Sequence, residues 1–267
     1  MKKTLKILII LQLLNYSFGQ VLHATTPPEN NMKLIPKGEF EYNSTKVKVN
    51  AFWMSEEITN KEYREFIEAL KSNPRDSLRV IHLDEMAKEA DFQGAVTFYS
   101  FRRILDKVTY FNDWGGEHSI ENYFYSGKYD DYPVVGVSFE SAGFFCIWKT
   151  HQLNKQRKEQ GLPLLSDFRL PTEIEWVYAT KGNTEGNDPV NVSEIKRVQS
   201  GEKGKYGLHN LNANVSEWTV NQTIDGRRVV KGSSWKREAD IYERIEKPAD
   251  YKDNSIGFRF VMSYLRE

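Results

Sequence analysis

Apolar residues recur at helical spacing in Tyr63–Leu70, and this pattern predicts an amphipathic helix with one buried face. Thr59 stands in front of this segment, and Glu62 follows Thr59 by three residues, which is the spacing of a capping box. Thr172 and Glu175 repeat the same pair in front of a second apolar segment. In each box the hydroxyl and the carboxylate accept hydrogen bonds from backbone N–H groups that the helix leaves unpaired. Both pairs therefore predict helix starts.

Other patterns predict a third helix and several short strands. Ser138 is suited to cap a helix that runs to about Lys155. Tyr132–Val137 reads as a short buried extended segment, and Asp225-Gly226 is the turn of a hairpin. Ile256–Val261 alternates as a final strand should. Stretches rich in Asn, Gly and Asp separate these elements, so the sequence predicts an α+β fold with a large loop content.

The N-terminal segment has a different pattern from the rest of the chain. Lysines at its start are followed by the apolar run Leu5–Leu14 and the small residues of Ser17–Gly19. This order is typical of a cleaved secretory signal peptide, with an uncleaved anchor or a buried helix as the alternatives. No cysteine follows the expected cleavage site, so a bacterial lipid anchor is not expected. We therefore predict a signal peptide over 1–19, a polar lead-in over 20–31 and one domain over 32–267.

Composition narrows the classes of function. The 267 residues include 37 Lys and Arg against 37 Asp and Glu, so no basic field favours nucleic acid. A single cysteine excludes an intramolecular disulfide and any multi-cysteine metal site. That residue, Cys146, lies in an apolar helical segment and is predicted to be a small buried hydrophobe. No two of the 5 histidines have the spacing of metal ligands.

Asn210–Glu217 is the segment that best suits a metal ion. It offers Asn side chains, one carboxylate and several carbonyls within a short stretch. Calcium prefers oxygen ligands of this kind, drawn from side chains and backbone together. The alternative is an Asn-rich turn held by its own side-chain hydrogen bonds.

Several segments together resemble the sulfatase-modifying-factor domain, which is the fold of the formylglycine-generating enzyme and is related to C-type lectins. They occur in the order that this family shows, and they cover nearly the whole chain after the predicted signal peptide. The resemblance implies a loop-rich α+β fold with few helices and short antiparallel strands. The segments are Met32–Phe40, Glu57–Tyr63, Tyr132–Ser138, Phe168–Trp176, Tyr206–Trp218, and Lys231–Trp235 with Gly257–Phe260.

A narrower likeness concerns Asn122–Phe124, Tyr129–Ser138 and Phe145–Thr150, which look like the GldK and GldJ gliding-motility lipoproteins of Bacteroidota. Those proteins belong to the type IX secretion and gliding apparatus at the periplasmic face of the outer membrane. The likeness implies an exported scaffold or binding subunit with protein partners, located in the periplasm or at the cell surface. Membrane association is then expected only through those partners. The aromatic residues of Phe92–Tyr125 suit an interface, although part of them must fill the core.

The resemblance also implies which chemistry the chain has lost. The formylglycine-generating enzyme oxidises a cysteine with a copper ion held by two cysteines. The matching positions here are Arg237 and Tyr242. Neither side chain replaces a thiolate toward Cu(I), which prefers soft ligands. We therefore expect no copper and no catalysis of this kind.

The family's calcium loop implies a specific set of ligands. Asn210 and Glu217 would bind calcium by side chain, and Asn212, Ala213 and Val215 by backbone carbonyl. Ala213 replaces a usual glycine, so a positive φ at that position would strain the loop.

Two further hypotheses remain from the sequence. The first is a metal-dependent enzyme with altered chemistry, built on His209 and acidic groups. The second is a glycan-binding module, because the related lectins bind sugars and the loops offer Asn, Asp and Trp.

Overall fold

The computed structural model describes residues 27–72, 119–183 and 194–264. The predicted signal peptide and most of the aromatic-rich segment lie outside the described residues. In the part of the chain that is described, no helix has the length and apolar character needed to cross a lipid bilayer.

The described residues form short strands, a few helices and long connections, which confirms the α+β prediction. The helices are α1 (Asn60–Ser72), α2 (Phe139–Glu159) and α3 (Glu173–Asn183), with a π-helical turn at Ile120–Phe124 and a 3-10 turn at Gly127–Tyr129. The strands are β1 (Met32–Ile35), β2 (Gly38–Tyr42), β3 (Thr45–Val49), β4 (Phe52–Ser55), β5 (Phe168–Arg169), β6 (Ser216–Gln222), β7 (Arg228–Lys231), β8 (Ile245–Lys247), β9 (Ile256–Gly257) and β10 (Val261–Ser263).

The strands form two sheets and a separate hairpin. The first sheet is 4-stranded with the order β1-β4-β10-β5, and its strands pair antiparallel. The second sheet is 4-stranded with the order β8-β7-β6-β9, in which only the β6–β9 pair is parallel. The hairpin β2–β3 stands apart from both sheets. The second sheet is the one that positions the candidate sites.

Both predicted capping boxes are confirmed. The Thr59 N–H donates to Glu62 Oε2 at 2.9 Å, and the Glu62 N–H donates to Thr59 Oγ1 at 3.1 Å. At the start of α3 the corresponding distances between Thr172 and Glu175 are 2.8 and 3.1 Å. The predicted apolar face of α1 is buried along its whole length, at Tyr63, Phe66, Ile67 and Leu70.

The helix α2 begins where predicted and ends later. Ser138 caps it by accepting a hydrogen bond from the Ser141 N–H at 3.2 Å. The helix continues past the predicted end near Lys155 to Glu159, because the intervening residues are good helix formers. It stops just before Gly161, whose φ of 69° is the left-handed conformation that ends many helices. Cys146 is buried within it, and burial raises the pKa of its thiol.

The hairpin prediction is confirmed and the final strand needs correction. The strands β6 and β7 pair antiparallel around Asp225-Gly226, where Gly226 has a φ of 85°. The predicted strand Ile256–Val261 is instead split between β9 in the second sheet and β10 in the first. Between them Arg259 turns its side chain into the interior, where it is fully buried. Between the two strands the chain runs beside the end of β4 and the segment that follows it, where the carbonyls of Phe258 and Phe260 accept the Ile58 and Ser55 N–H groups at 3.1 and 2.9 Å.

The core consists of two main apolar clusters. One packs α1 and α2 against both sheets around rings such as Tyr63, Phe145 and Phe258. The other packs α3, through Trp176 and Val177, against strands of the first sheet. The predicted extended segment Tyr132–Val137 is largely buried and belongs to neither sheet, but backbone hydrogen bonds such as the Val134 N–H to the Ile58 carbonyl at 2.7 Å join it to the start of α1. Of the aromatic-rich segment, Tyr123 and Phe124 are buried in the core, whereas Tyr125 is 42% exposed.

Candidate functional site

A group of charged side chains lies fully inside the protein between the two sheets. Arg259 Nε donates to Glu217 Oε1 at 2.6 Å, and Arg259 Nη1 donates to Glu56 Oε2 at 3.2 Å. Arg259 Nη2 also donates to the backbone carbonyl of His209 at 2.6 Å. Burial alone would lower the pKa of Arg259, but the surrounding carboxylates raise it. We term Glu56, Glu57, His209, Glu217 and Arg259 the buried network.

The carboxylates of the buried network have further donors. Trp176 Nε1 donates to Glu217 Oε2 at 2.8 Å, so both oxygens of Glu217 are engaged. Glu56 accepts the His209 N–H at 3.0 Å and lies 2.8 Å from His209 Nδ1. Burial raises the pKa of Glu217, although the charge of Arg259 opposes the effect. Glu56 and Glu217 thus each accept hydrogen bonds from Arg259 and from a further donor, as buried charges require.

Glu57 is the least compensated member of the buried network. It accepts hydrogen bonds from the amides of Asn210 at 2.9 Å and Asn214 at 3.0 Å. Burial raises the pKa of Glu57 to about 8, against the opposing charge of Arg259. The two amides also face the backbone carbonyls of residues 196–198. Glu57 therefore ties the Asn-rich loop to the start of α1.

Four of the predicted calcium ligands, Asn210, Asn212, Ala213 and Val215, lie in one loop, and Glu217 follows in β6. Asn210, Asn212 and Asn214 have φ values of 57°, 63° and 64°, which Asn tolerates better than most residues. Ala213 is not among the positive-φ residues, so the strain expected there does not arise. The carbonyls of Ala213 and Val215 belong to the same loop. Asn212 Oδ1 accepts the Ser233 N–H at 3.0 Å.

In the observed arrangement, the oxygens of these ligands are not left open to a metal ion. A calcium ion would have to displace the guanidinium of Arg259 and the indole of Trp176 from Glu217. Among the described residues there is no group of three or more His, Cys, Asp and Glu side chains placed to hold a metal. His209 is buried, and its ring nitrogen contacts Glu56. The calcium site stays a prediction.

The positions that match the copper cysteines lie near the surface. Arg237 forms an ion pair with Glu243, and the Arg237 side chain is 48% exposed. The ring of Tyr242 packs 6.0 Å from the ring of Tyr42, and its hydroxyl accepts from Lys181 Nζ at 3.2 Å. Arg237 forms part of the wall of a surface cleft.

This cleft lies on one face of the second sheet and has a volume of about 230 Å³. Its floor is apolar and is formed by Val230, Ile245 and Ile256. Four charged side chains, the hydroxyls of three serines and the ring of Tyr251 complete the lining. The lining residues are Ser216, Val230, Ser234, Arg237, Glu243, Ile245, Lys247, Tyr251, Asp253, Ser255 and Ile256. We term Arg237, Glu243, Lys247 and Asp253 the cleft rim.

Hydrogen bonds hold the cleft rim in place. Asp253 accepts from the Ser255 N–H at 2.8 Å and lies 3.4 Å from Lys236 Nζ. Burial alone would raise the pKa of Asp253, but the Ser255 hydrogen bonds and Lys236 lower it.

A buried ion pair beneath the sheet anchors the opposite wall. Lys231 Nζ donates to the backbone carbonyl of Glu243 at 2.7 Å and to Glu173 Oε1 at 3.3 Å. Burial lowers the pKa of Lys231 despite its contact with Glu173. The rim at Glu243 is therefore attached to the core.

Sequence reasoning identified Arg237, Asn210 and Glu217 but missed Glu56, Arg259 and the rest of the rim. A usable signal existed for Arg259, since a charged residue between two phenylalanines in an apolar run is rarely buried without a partner. No local signal joins Lys247 to Ser216, because the cleft is assembled from separate segments.

The chain is similar to a known family and to known proteins. The model of a family described as "Sulfatase-modifying factor enzyme 1-like domain" matches residues 17–264. "Inactive C-alpha-formylglycine-generating enzyme 2" of Mus musculus is 27% identical over 168 residues, covering 49% of this chain and 49% of that protein. "Formylglycine-generating enzyme" of Bos taurus is 23% identical over 318 residues, covering 92% of this chain and 78% of that protein. The chain thus spans about half the length of the inactive relative.

Solved structures show a similar fold. The structure of CarF has a TM-score of 0.57 at 17% identity, and the match covers 87% of this chain and 98% of CarF. PvdO from Pseudomonas aeruginosa has a TM-score of 0.53 at 13% identity, covering 89% of this chain and 97% of PvdO. At these identities the likeness shows the fold alone.

Proposed function

The chain belongs to the family of sulfatase-modifying factor enzyme 1-like domains. We propose that, within this family, it is a non-catalytic, exported binding subunit. The observation that carries the proposal is the pair Arg237 and Tyr242, which stand where the resemblance expects the two copper-binding cysteines. The name of the similar Mus musculus protein, which describes it as inactive, supports the same reading.

The local chemistry of the two positions supports a loss of copper binding. The guanidinium of Arg237 carries a permanent positive charge and is paired with Glu243. The phenol of Tyr242 is a hard oxygen ligand that suits Cu(I) poorly. Cys146 cannot replace a missing thiolate, because it is buried in α2 with a raised thiol pKa.

The proposed setting is an outer-membrane assembly of the type IX secretion or gliding machinery, on its periplasmic side. The supporting argument is the likeness of Asn122–Phe124, Tyr129–Ser138 and Phe145–Thr150 to gliding-motility lipoproteins. A rigid core with long irregular connections is well suited to present surfaces to protein partners.

Two measurements test the proposal. The purified chain, supplied with Cu(I) and a cysteine-containing peptide, is expected to yield no aldehyde product by mass spectrometry, while an active formylglycine-generating enzyme assayed in parallel does. Aldehyde formation would contradict the loss of catalysis. Metal analysis of the same sample tests the alternative of altered metal chemistry, which one equivalent of a redox-active metal would favour.

The assembly is tested separately by co-purification from detergent-solubilised envelopes. We expect the chain to elute with partner proteins at a mass well above that of the monomer. Recovery of a free monomer alone would contradict a role in an envelope complex.

A further inference from the structure

Two cations lie side by side on the cleft face of the second sheet. Arg228 of β7 and Lys247 of β8 are direct cross-strand partners, so their side chains share one face. Like charges in this position destabilise a sheet unless an anion or another partner compensates them. Arg228 stacks over the ring of Phe139 at 4.1 Å and donates to the Val220 carbonyl at 3.3 Å. Its Nε is nevertheless buried without a hydrogen-bond partner among the described residues.

The carboxylates around the cleft are already paired with other cations. Glu243 pairs with Arg237, and Asp253 pairs with Lys236 at 3.4 Å. Within the described residues, Lys247 has no carboxylate within ion-pair distance. Its ammonium instead lies 4.5 Å from the centre of the Tyr251 ring, at the edge of the cleft. When Lys236, which lies beside the lining, is counted with Arg237 and Lys247, three cations face the two carboxylates Glu243 and Asp253, and Lys247 is the cation left without a carboxylate partner.

An apolar surface begins directly beside this cation. Val230 and Ile245 are the next cross-strand pair on the same face, and Ile256 completes the floor. Val230 and Ile256 are only 0% and 4% exposed, so the half-buried side chains of Ile245 and Tyr251 offer most of the apolar surface that a ligand can reach. A volume of about 230 Å³ suits one ring or one branched chain. A ligand that fits needs an anionic head next to an apolar body.

We propose that the cleft binds a monocarboxylate that carries an apolar group. The carboxylate pairs with Lys247, and the apolar group lies against Ile245 and the ring of Tyr251. The same chemistry is found in a free apolar acid and in the C-terminal residue of a peptide. This proposal rests on the proposed function, because it assigns a ligand class to a binding subunit.

The first experiment compares phenylacetate with phenylacetamide, its uncharged analogue, by NMR titration of the full chain. We expect phenylacetate to bind and to shift resonances of the cleft, and phenylacetamide to bind at least about tenfold more weakly, since a charge-assisted contact is lost. Equal binding of the two probes, or no binding of phenylacetate at millimolar concentration, would overturn the proposal.

Matched variants locate the contact. Lys247→Gln should weaken phenylacetate binding by about tenfold or more. Lys46→Gln is the control, because Lys46 lies in the β2–β3 hairpin, does not line the cleft and has a side chain that is 72% exposed, and its effect should stay below about twofold. Both are surface substitutions, so thermal unfolding should be nearly unchanged. Equal loss in the two variants would overturn the assignment of Lys247.

A third comparison distinguishes the two sources of the carboxylate. Acetyl-Gly-Gly-Phe with a free C-terminus and the same peptide with a C-terminal amide are titrated under identical conditions. Binding of the free-acid peptide alone identifies a chain terminus as a ligand, whereas binding of phenylacetate without either peptide identifies a free acid. Failure of all the carboxylates would refute the ligand class, while the aldehyde and co-purification measurements would still decide the proposed function.

Discussion

The buried network and the cleft rim contain the same kinds of charged groups in opposite surroundings. The side chain of Arg259 is 0% exposed, and its partners Glu217 and Glu56 are 1% and 2% exposed. In the cleft rim, Arg237 and Glu243 have side chains that are 48% and 38% exposed. Water can replace a lost partner in the rim but not in the interior. The buried network therefore determines the structure, whereas the cleft rim is free to exchange its contacts for those of a ligand.

The buried network and the cleft rim also differ in how far apart along the chain their paired residues lie. Arg259 joins the end of the chain to Glu56 in the segment before α1 and to Glu217 in β6. The network therefore connects both sheets. The rim pair Arg237–Glu243 joins residues of a single loop, so its loss would change little outside that loop.

Arg259→Leu should produce the largest effect. It leaves Glu56 and Glu217 buried without their cation, and removing one partner of a buried ion pair costs about 3–5 kcal/mol. Because a typical domain is stable by only about 5–15 kcal/mol, this loss is a large share of the total and should lower the urea midpoint markedly. Urea unfolding followed by circular dichroism measures the free energy.

Arg259→Lys provides the corresponding control. It retains the positive charge but cannot make the four contacts of the guanidinium, which are to Glu217, Glu56 and the carbonyls of His209 and Ser55, so we expect a smaller loss than for Leu. A free energy of unfolding for Arg259→Leu equal to that of the native protein would mean that the buried network is not structural.

Calcium should have the next largest effect if the predicted ligands bind it. Stabilisation by a bound ion amounts to about 2.7 kcal/mol at a concentration roughly one hundred times its Kd. We expect a rise in the midpoint of thermal unfolding on adding calcium, reversed by a chelator and absent in Glu217→Gln. Glu246→Gln, on the exposed side of β8, is the matched control and should keep the response. An unchanged midpoint in the native chain would contradict the predicted site and leave Arg259 as the cation that serves Glu217.

Arg237→Gln should have the smallest effect. Exposed ion pairs contribute about 0–1 kcal/mol, since solvent already screens them. Urea unfolding of this variant should be close to that of the native protein. A loss as large as that of Arg259→Leu would show that the cleft rim is structural as well, and the distinction between the two regions would fail.

The sequence by itself determined the features that depend on neighbours a few residues apart. Both capping boxes, the Ser138 cap and the buried face of α1 follow from contacts within one or two helical turns, which any fold containing those helices would make. The absence of thiols at Arg237 and Tyr242 is likewise readable without coordinates, once the resemblance gives the positions.

Only the tertiary structure decided how the charges are used. Arg259 and Glu56 are 203 residues apart, and Lys247 faces the same cleft as residues from several other segments. The final strand was predicted as continuous because its apolar pattern is regular, yet the structure divides it between two sheets, and the Arg259 that lies between the two parts is paired with Glu217 and Glu56. Pairing of buried charges depends on which distant segments the fold brings together. No local pattern encodes that choice, whereas a helix start needs only residues that are already close along the chain.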